Sequence, residues 1–386
     1  MVNLPSPSHL QHNTPRACYI HVPFCTHRCG YCDFTLIARR PDLVDDYLKA
    51  LELEISALET PREVDTLFLG GGTPTFLSAS QLSRLFDILK RWFPLASNYE
   101  WSIEANPTGL TDDKLEVMQS YGVNRVSLGV QTFDSELLKL LERDHDEAIA
   151  IDAVRRLLSR FSNVSIDLIF GIPGQSLSHW LHTIATAIQL GTQHISTYGL
   201  TFEAGTTFWS RLSKGQLQQI PDTLEREMYE AVMDRLPAAG YLQYEISNFA
   251  RPGFESRHNQ VYWNADSFYG FGPGAAAFVD GVRRTNHRSV TTWIKRTLAG
   301  QNAVGESETL DREGAAREAV MVGFRQCHGI SQTHFKNRYG IDLPTLAGRE
   351  FNKLIAQGLL EIANDHVRLT REGRCVANRV IVEFMG

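Results

Sequence analysis

The sequence predicts an α/β fold: a parallel sheet curved into an open or partial (β/α) barrel, followed by a small α+β unit with a winged-helix-like order of elements. Three observations lead there. From about residue 17 to residue 248, short runs rich in β-branched, aromatic and Leu residues alternate with amphipathic stretches of helical period. The strand candidates are largely β-branched, aromatic or Leu, which suits a sheet covered on both faces, and regular βα alternation calls for parallel pairing. After Asn248 the alternation stops, and from about Gly305 helices precede a hairpin-like pair.

In chain order, strands are expected at 17–22, 65–69, 101–104, 125–130, 164–170, 194–200 and 243–246. A helix at 43–58 places Leu43, Tyr47, Leu51 and Ile55 on one face, the spacing of a buried stripe. Ser78 followed by Gln81 reads as a capping box opening a helix at 82–92, since each side chain can satisfy the other residue's backbone N–H. Further helices fit 113–121, 147–160, 179–190 and 223–239. Residues 251–277, rich in Gly, Asn and aromatics, read as an ordered loop region. Helices then fit 311–325, 334–339 and 349–357, a hairpin fits 359–362 with 367–369, and a last helix starts from Thr370. The expected organisation is an N-terminal extension at 1–16, the barrel at 17–250, a connecting segment at 251–304 and the C-terminal unit at 305–386.

At 386 residues the chain has room for one large domain and a small one. A net charge of −6 excludes a general nucleic-acid binder, which needs a basic excess. No apolar stretch approaches a membrane span, which leaves peripheral membrane contact open, and residues 1–15 lack the basic-then-apolar pattern of a signal peptide. The expected location is the cytoplasm, where thiols stay reduced and serve as metal or cluster ligands.

Three of the six cysteines, Cys25, Cys29 and Cys32, form a C-x3-C-x2-C triplet. Three thiolates in one short loop can hold three corners of a 4Fe–4S cluster and leave the fourth iron open to an exogenous ligand. A structural zinc ion needs four ligands, with His21 and His27 as candidates for the fourth, and no second Cys/His pair stands at finger-like spacing downstream. Cys18 belongs to an apolar strand, and Cys327 and Cys375 are distant from the triplet and read as packing residues.

In a parallel barrel functional residues gather at the C-terminal ends of the strands, and the unusual polar text sits there. The first strand leads into the cysteines, the second into Gly70-Gly71-Gly72-Thr73-Pro74-Thr75, the third into Glu104-Ala105-Asn106-Pro107 and the fourth into Gln131. The fifth carries Asp167 and runs into Gly171-Ile172-Pro173-Gly174-Gln175. A glycine run lets a ligand approach the backbone closely, although alone it also fits a tight turn.

Taken together, Tyr19-Ile-His-Val-Pro-Phe-Cys-x3-Cys-x2-Cys, Gly-Gly-Gly-Thr-Pro-Thr, Ser102-Ile-Glu-Ala-Asn-Pro, Ser127-Leu-Gly-Val-Gln and Asp167-Leu-Ile-Phe-Gly-Ile-Pro-Gly-Gln resemble the radical S-adenosylmethionine (SAM) enzymes. More narrowly the chain is similar, over nearly its whole length, to the oxygen-independent coproporphyrinogen III oxidase group. The resemblance implies a partial barrel of the radical SAM type, with Cys25, Cys29 and Cys32 on a 4Fe–4S cluster and SAM chelating the open iron. It implies that Gly71, Gly72 and Thr73 lie against the methionine moiety, with Tyr19 and Tyr31 nearby. Glu104 and Asp167 would accept hydrogen bonds from the amine or ribose of SAM, Gln131 and Arg143 would supply polar and cationic contacts, and Thr201 would line the adenosine pocket. An electron from the cluster would then cleave the sulfonium to a 5′-deoxyadenosyl radical, chemistry that belongs to the cofactor.

Within the group, the oxidases carry a further cysteine two residues past the triplet, where this chain has Phe34, and a longer N-terminal arm. Instead, Arg257-His258-Asn259-Gln260-Val261-Tyr262-Trp263 resembles the His-Asn-x-x-Tyr-Trp motif of the related haem chaperones often called HemW, and implies His258 as a haem-binding residue. Without the family context, these residues simply order a loop over the barrel mouth. Two positions depart from the family's usual text: Glu142 stands where a Gly is frequent, and Ala276 where a His is common. The expectation is therefore a haem chaperone that passes haem to an acceptor protein, with a cluster, exchangeable SAM and an electron donor if SAM is cleaved. The alternatives are oxygen-independent coproporphyrinogen III dehydrogenase, which would oxidatively decarboxylate two propionates, and a radical SAM enzyme of another substrate.

Overall fold

The computed structural model describes residues 14–385. The N-terminal extension expected at 1–16 therefore lies, up to residue 13, outside the described residues. The chain enters at β1 (Ala17–Val22), whose side chains are buried except at the partly covered Tyr19. Helices and strands then alternate: α1 (Val44–Ser56), β2 (Val64–Gly71), α2 (Ala79–Trp92), β3 (Leu95–Ala105), α3 (Asp112–Tyr121) and β4 (Arg125–Gln131). They continue with α4 (Ser135–Leu140), α5 (Glu147–Leu158), β5 (Asn163–Phe170), α6 (Leu177–Leu190), β6 (His194–Gly199), α7 (Thr207–Ser213) and α8 (Asp222–Ala238). Strands β1 to β6 pair in chain order and parallel, which puts all their C-terminal ends on one rim. The partial (β/α) barrel expected from the alternation is the observed architecture.

Two sequence expectations need correction. The strand expected at 243–246 is a chain reversal between β7 (Leu242–Gln243) and β8 (Asn248–Ala250), which pair antiparallel, β8 also running antiparallel to β6. Its cause is the buried Glu245, whose carboxylate accepts the Ser247 N–H at 2.9 Å and the Asn248 side-chain amide at 2.5 Å, a local turn that competes with strand pairing. The region expected as an ordered loop at 251–277 contains helix α9 (Arg257–Trp263) and strand β9 (Tyr269–Phe271). Strand β9 lies parallel to β1 and completes the nine-stranded order β9-β1-β2-β3-β4-β5-β6-β8-β7. Helix α9 is capped by the Ser256 hydroxyl, and its first N–H groups, from Arg257 and His258, donate to the Glu100 carboxylate at 2.9 and 3.1 Å. A three-stranded antiparallel sheet (Ala276–Val279, Val282–Asn286, Val304–Thr309) and a helix (Val290–Leu298) follow.

The C-terminal part packs a core of its own around Phe324, Phe335, Phe351, Leu354, Val380 and Phe384. Helices at Arg312–Gly323, Gln332–Tyr339 and Arg349–Ala356 precede the hairpin of Leu360–Ala363 with His366–Leu369, the winged-helix-like order read from the sequence. No described helix is long and apolar enough to cross a membrane.

The capping box at α2 forms as expected: Gln81 N–H donates to Ser78 Oγ at 3.3 Å, and Ser78 N–H to Gln81 Oε1 at 3.0 Å. Ser78→Ala should therefore lower stability by about 1 kcal/mol, measurable as a lower urea midpoint at unchanged slope.

Candidate functional site

The rim of the barrel encloses a cavity of about 500 Å³ that all three triplet cysteines line. Cys25 ends a short extension of β1 (Phe24–Cys25), held by parallel pairing with Ile37–Ala38. Cys29 and Cys32 lie in the following turn, closed by a backbone bond from Cys32 N–H to the Cys29 carbonyl at 3.1 Å. Arg28, which the sequence did not single out, organises this loop: its guanidinium donates to the carbonyls of Cys32 at 3.1 Å and Leu36 at 3.0 Å. Helix α7 lies against the other side, where Tyr31 meets the Phe208 ring edge-on at 6.2 Å and Phe208 N–H donates to the Gly30 carbonyl.

A chain of polar contacts joins two of the thiols. Cys25 Sγ lies 3.3 Å from Thr73 Oγ1, Asn106 Nδ2 donates to that hydroxyl oxygen at 3.0 Å, and Arg143 donates to Asn106 Oδ1 at 2.8 Å. Arg143 also donates to Cys29 Sγ at 3.5 Å and to the Gly129 carbonyl at 2.8 Å. Asn106 is the residue that sequence reasoning missed here, although it stands in the motif that ends β3. Burial pushes the Cys25 thiol up to about 11 and also raises Cys32, so ligand binding at these sulfurs has to release protons. Among the described residues no three His, Cys, Asp or Glu side chains converge on one metal-ion point. All three thiols line the same cavity.

The glycines work as a cradle. Gly71 has φ +107°, and a Cβ there would meet the His21 ring at 2.4 Å. A Cβ at Gly72 would meet the Phe24 backbone at 2.8 Å. Close packing against β1 and its extension therefore requires glycine at both positions, and both line the cavity as bare backbone. Gln131 sits at a bulge in β4 with φ +69°, a strained backbone that re-aims a side chain at the strand end. Thr201, Tyr31 and Gln131 line the same cavity as Gly71, Gly72 and Thr73.

Two carboxyls form the cavity floor. Glu104 accepts Gly71 N–H at 3.0 Å, and burial followed by the nearby Asp167 charge pushes it up to about 7. Asp167 is raised by burial while Ser127 Oγ lies 3.2 Å from both its oxygens. Beneath them lies a lower chamber of about 220 Å³, which shares Glu104, Ser127, Asp167 and Tyr198 with the upper cavity.

Two further expected site residues, Tyr19 and His258, line this lower chamber but not the upper cavity. Tyr19 lines it, its hydroxyl 3.0 Å from His21 Nδ1. His21 Nε2 meets the Thr35 carbonyl at 2.6 Å, and burial pushes its pKa down to about 4; with both nitrogens engaged, it does not offer itself as a fourth metal ligand. His258 is 1 % exposed, with Nδ1 2.8 Å from Thr66 Oγ1 and Nε2 2.8 Å from Tyr262 Oη. Its ring stacks on Phe68 at 5.1 Å, and burial pushes its pKa down to about 3. It is a neutral imidazole inside the barrel, rather than part of a loop over its mouth. A larger cavity of about 590 Å³ lies between α1, β9 and the three-stranded sheet, away from the cysteines.

The chain is similar over nearly its whole length to known proteins. Residues 19–187 match the radical SAM superfamily, and residues 310–376 match the HemN C-terminal domain. The chain is 39 % identical over 376 residues to a Bacillus subtilis protein named heme chaperone HemW, covering 96 % of this chain and 99 % of that one. It is 34 % identical over 384 residues to the Escherichia coli protein of the same name, covering 96 % and 98 %. A bovine relative, radical S-adenosyl methionine domain-containing protein 1, mitochondrial, is 31 % identical over 386 residues, covering 96 % and 87 %. Among solved structures, the coproporphyrinogen III oxidase HemN of Escherichia coli superposes with a TM-score of 0.84 at 23 % identity, covering 98 % of this chain and 92 % of that one, a likeness of fold.

The raised Glu104 carboxyl has a stability consequence. A folded-state pKa near 7, against an ordinary 4.5, means the folded protein holds this proton more tightly than the unfolded chain. Its contribution is full below about pH 4.5 and is lost as pH rises through about 7, with a limiting slope of about 1.4 kcal/mol per pH unit for one proton. Urea unfolding of the cofactor-free protein from pH 4.5 to 7.5 should show that loss, and Glu104→Gln should flatten it.

Proposed function

We propose, for a chain that belongs to the HemW family of radical SAM proteins, that it is a haem chaperone that binds haem and passes it to an acceptor protein. The observation that carries this reading is end-to-end similarity to proteins named for that role, including the C-terminal part as well as the barrel.

In this reading Cys25, Cys29 and Cys32 hold a 4Fe–4S cluster whose fourth iron takes SAM. Three thiols lining one cavity and the bare Gly71–Gly72 strip fit such a pair. The cluster, when bound, supplies the electron that SAM chemistry needs. The protein's own part is orientation. Arg143 and Asn106 fix the relative position of two cysteines through hydrogen bonds and place a cation beside the cluster and the carboxylate of SAM. Glu104 and Asp167, with Gln131 and Thr201, offer acceptors to the amine and ribose side of SAM. Tyr31 packs on helix α7 through Phe208 and so braces the cysteine loop.

His258 is the candidate haem ligand in a second arrangement of α9. Because Thr66 and Tyr262 engage both ring nitrogens, α9 has to shift before the imidazole can reach iron. The competing enzymatic reading, coproporphyrinogen III dehydrogenase, has against it the exposed Phe34 on the cavity wall, where the resemblance places a further cysteine in the oxidases.

Cys29→Ser should abolish or strongly weaken the 4Fe–4S absorbance after anaerobic reconstitution; an unchanged cluster spectrum would contradict the ligand assignment. Haem titration of cluster-loaded protein should give a saturable Soret shift near one haem per chain, weakened in His258→Ala with the cluster retained. Unchanged haem binding in that variant would move the iron ligand elsewhere. Multiple-turnover formation of vinyl product from coproporphyrinogen III would favour the enzyme.

A further inference from the structure

We propose that the lower chamber of the barrel is a carboxylate-binding subsite built on Arg125, which accepts the propionate-type arm of a ligand. Arg125 opens β4, is 2 % exposed, and lines the chamber together with Ser196, Asn259 and Tyr262. Its Nε is buried without a hydrogen-bond partner, and no ion pair reaches its guanidinium among the described residues. The charge of Arg125 acts through space on the Glu104 and Asp167 carboxyls, but a buried guanidinium N–H without an acceptor is still costly, so the chamber in front of it calls for a carboxylate or for ordered water.

The surroundings favour an anion. The two histidines nearest in charge terms, His194 and His258, are pushed towards the neutral form by burial and then by Arg125 itself, so the positive charge here belongs to Arg125. The two acids at the chamber ceiling feel the Arg125 charge, yet burial raises both towards the neutral form, and their hydrogen bonds come from Gly71 N–H for Glu104 and from the Ser127 and Ser196 hydroxyls for Asp167. A guanidinium matches a planar carboxylate with two parallel hydrogen bonds, and Asn259 adds a neutral polar group to the chamber lining. A volume of about 220 Å³ is too small for a macrocycle and suits a carboxylate arm. Two routes lead in: from the upper cavity past Glu104, Asp167 and Tyr198, or through the floor if α9, which carries His258, Asn259 and Tyr262, moves. The choice of haem as the source of that arm rests on the chaperone reading; the subsite itself does not.

The test compares haem with haem dimethyl ester on cluster-loaded protein, and propionate with chloride at equal ionic strength by thermal shift. Esterification should weaken haem binding by about tenfold in the wild type, the scale of one charged hydrogen-bonded contact. Arg125→Met should weaken haem by a similar factor and remove the difference between haem and its ester. Propionate should raise the melting temperature saturably in the wild type and not in Arg125→Met. Protection by propionate with equal binding of haem and ester supports the subsite and assigns it to a free small carboxylate. Absence of both effects overturns the proposal and leaves a chamber filled by water only. Failure of the wild type to bind haem defeats the chaperone reading, while the propionate arm still decides the subsite. If Arg125→Met does not fold, Asn259→Leu, which removes a neutral polar group from the chamber lining, takes its place with the same expected losses.

Discussion

The site depends first on the parallel pairing of β1 to β6. Parallel strands end on one rim, and each of these strands ends in, or leads directly into, a polar segment. A strand pairing out of order would carry the cysteines, the glycine strip, Glu104, Gln131 and Asp167 to different places. A slip of one residue would turn alternate side chains to the other face. The register places Gly71 beside Val22, immediately before the cysteine loop, and Glu104 beside Ser127. The cradle and the acid floor are thus products of backbone hydrogen bonding.

That geometry is supported by a second level of contacts between distant parts of the chain. The link from Cys25 through Thr73, Asn106 and Arg143 to Cys29 uses four different connections of the barrel. The base of the barrel is closed by α9, whose N-terminal N–H groups are satisfied by Glu100. Its other end is held by the C-terminal part. Gln326 donates to the Trp263 carbonyl at 3.2 Å, Arg338 donates to the Asn264 carbonyl at 2.9 Å, and the Arg325 guanidinium lies 4.8 Å from the Trp263 ring. The motif helix therefore connects the C-terminal part to the chamber beneath Glu104 and Asp167. This arrangement relates two features that look separate in sequence, a SAM-type cavity and a haem-type motif.

Much of this was legible in the sequence because its signals are local. Runs rich in β-branched, aromatic and Leu residues marked β1 to β6, and Ser78 with Gln81 marked the start of α2. The cavity residues follow strands directly, so the alternation alone placed them on one rim. What was not legible depends on distant partners. Helix α9 is only 7 residues long, and its N-terminal donors are satisfied by a carboxylate 157 residues away. Strand β9 has 3 residues and owes its existence to β1. The identity of His258 as part of a motif was readable, but its direction was not. Neither Thr66 nor Phe68, which hold its ring, belongs to that motif. Asn106 and Arg28 escaped notice for the same reason, since their value lies in carbonyls and hydroxyls brought to them by folding.

The central claim is that three thiols leave one iron open to SAM inside the cavity. The most direct measurement is electron–nuclear double resonance on the reduced, cluster-loaded protein with SAM labelled at the amino nitrogen and the carboxylate oxygen. The account predicts hyperfine coupling from both labels, lost when Cys29 is replaced. Couplings absent from fully loaded, SAM-saturated protein would mean that SAM does not ligate the cluster, and would contradict the account.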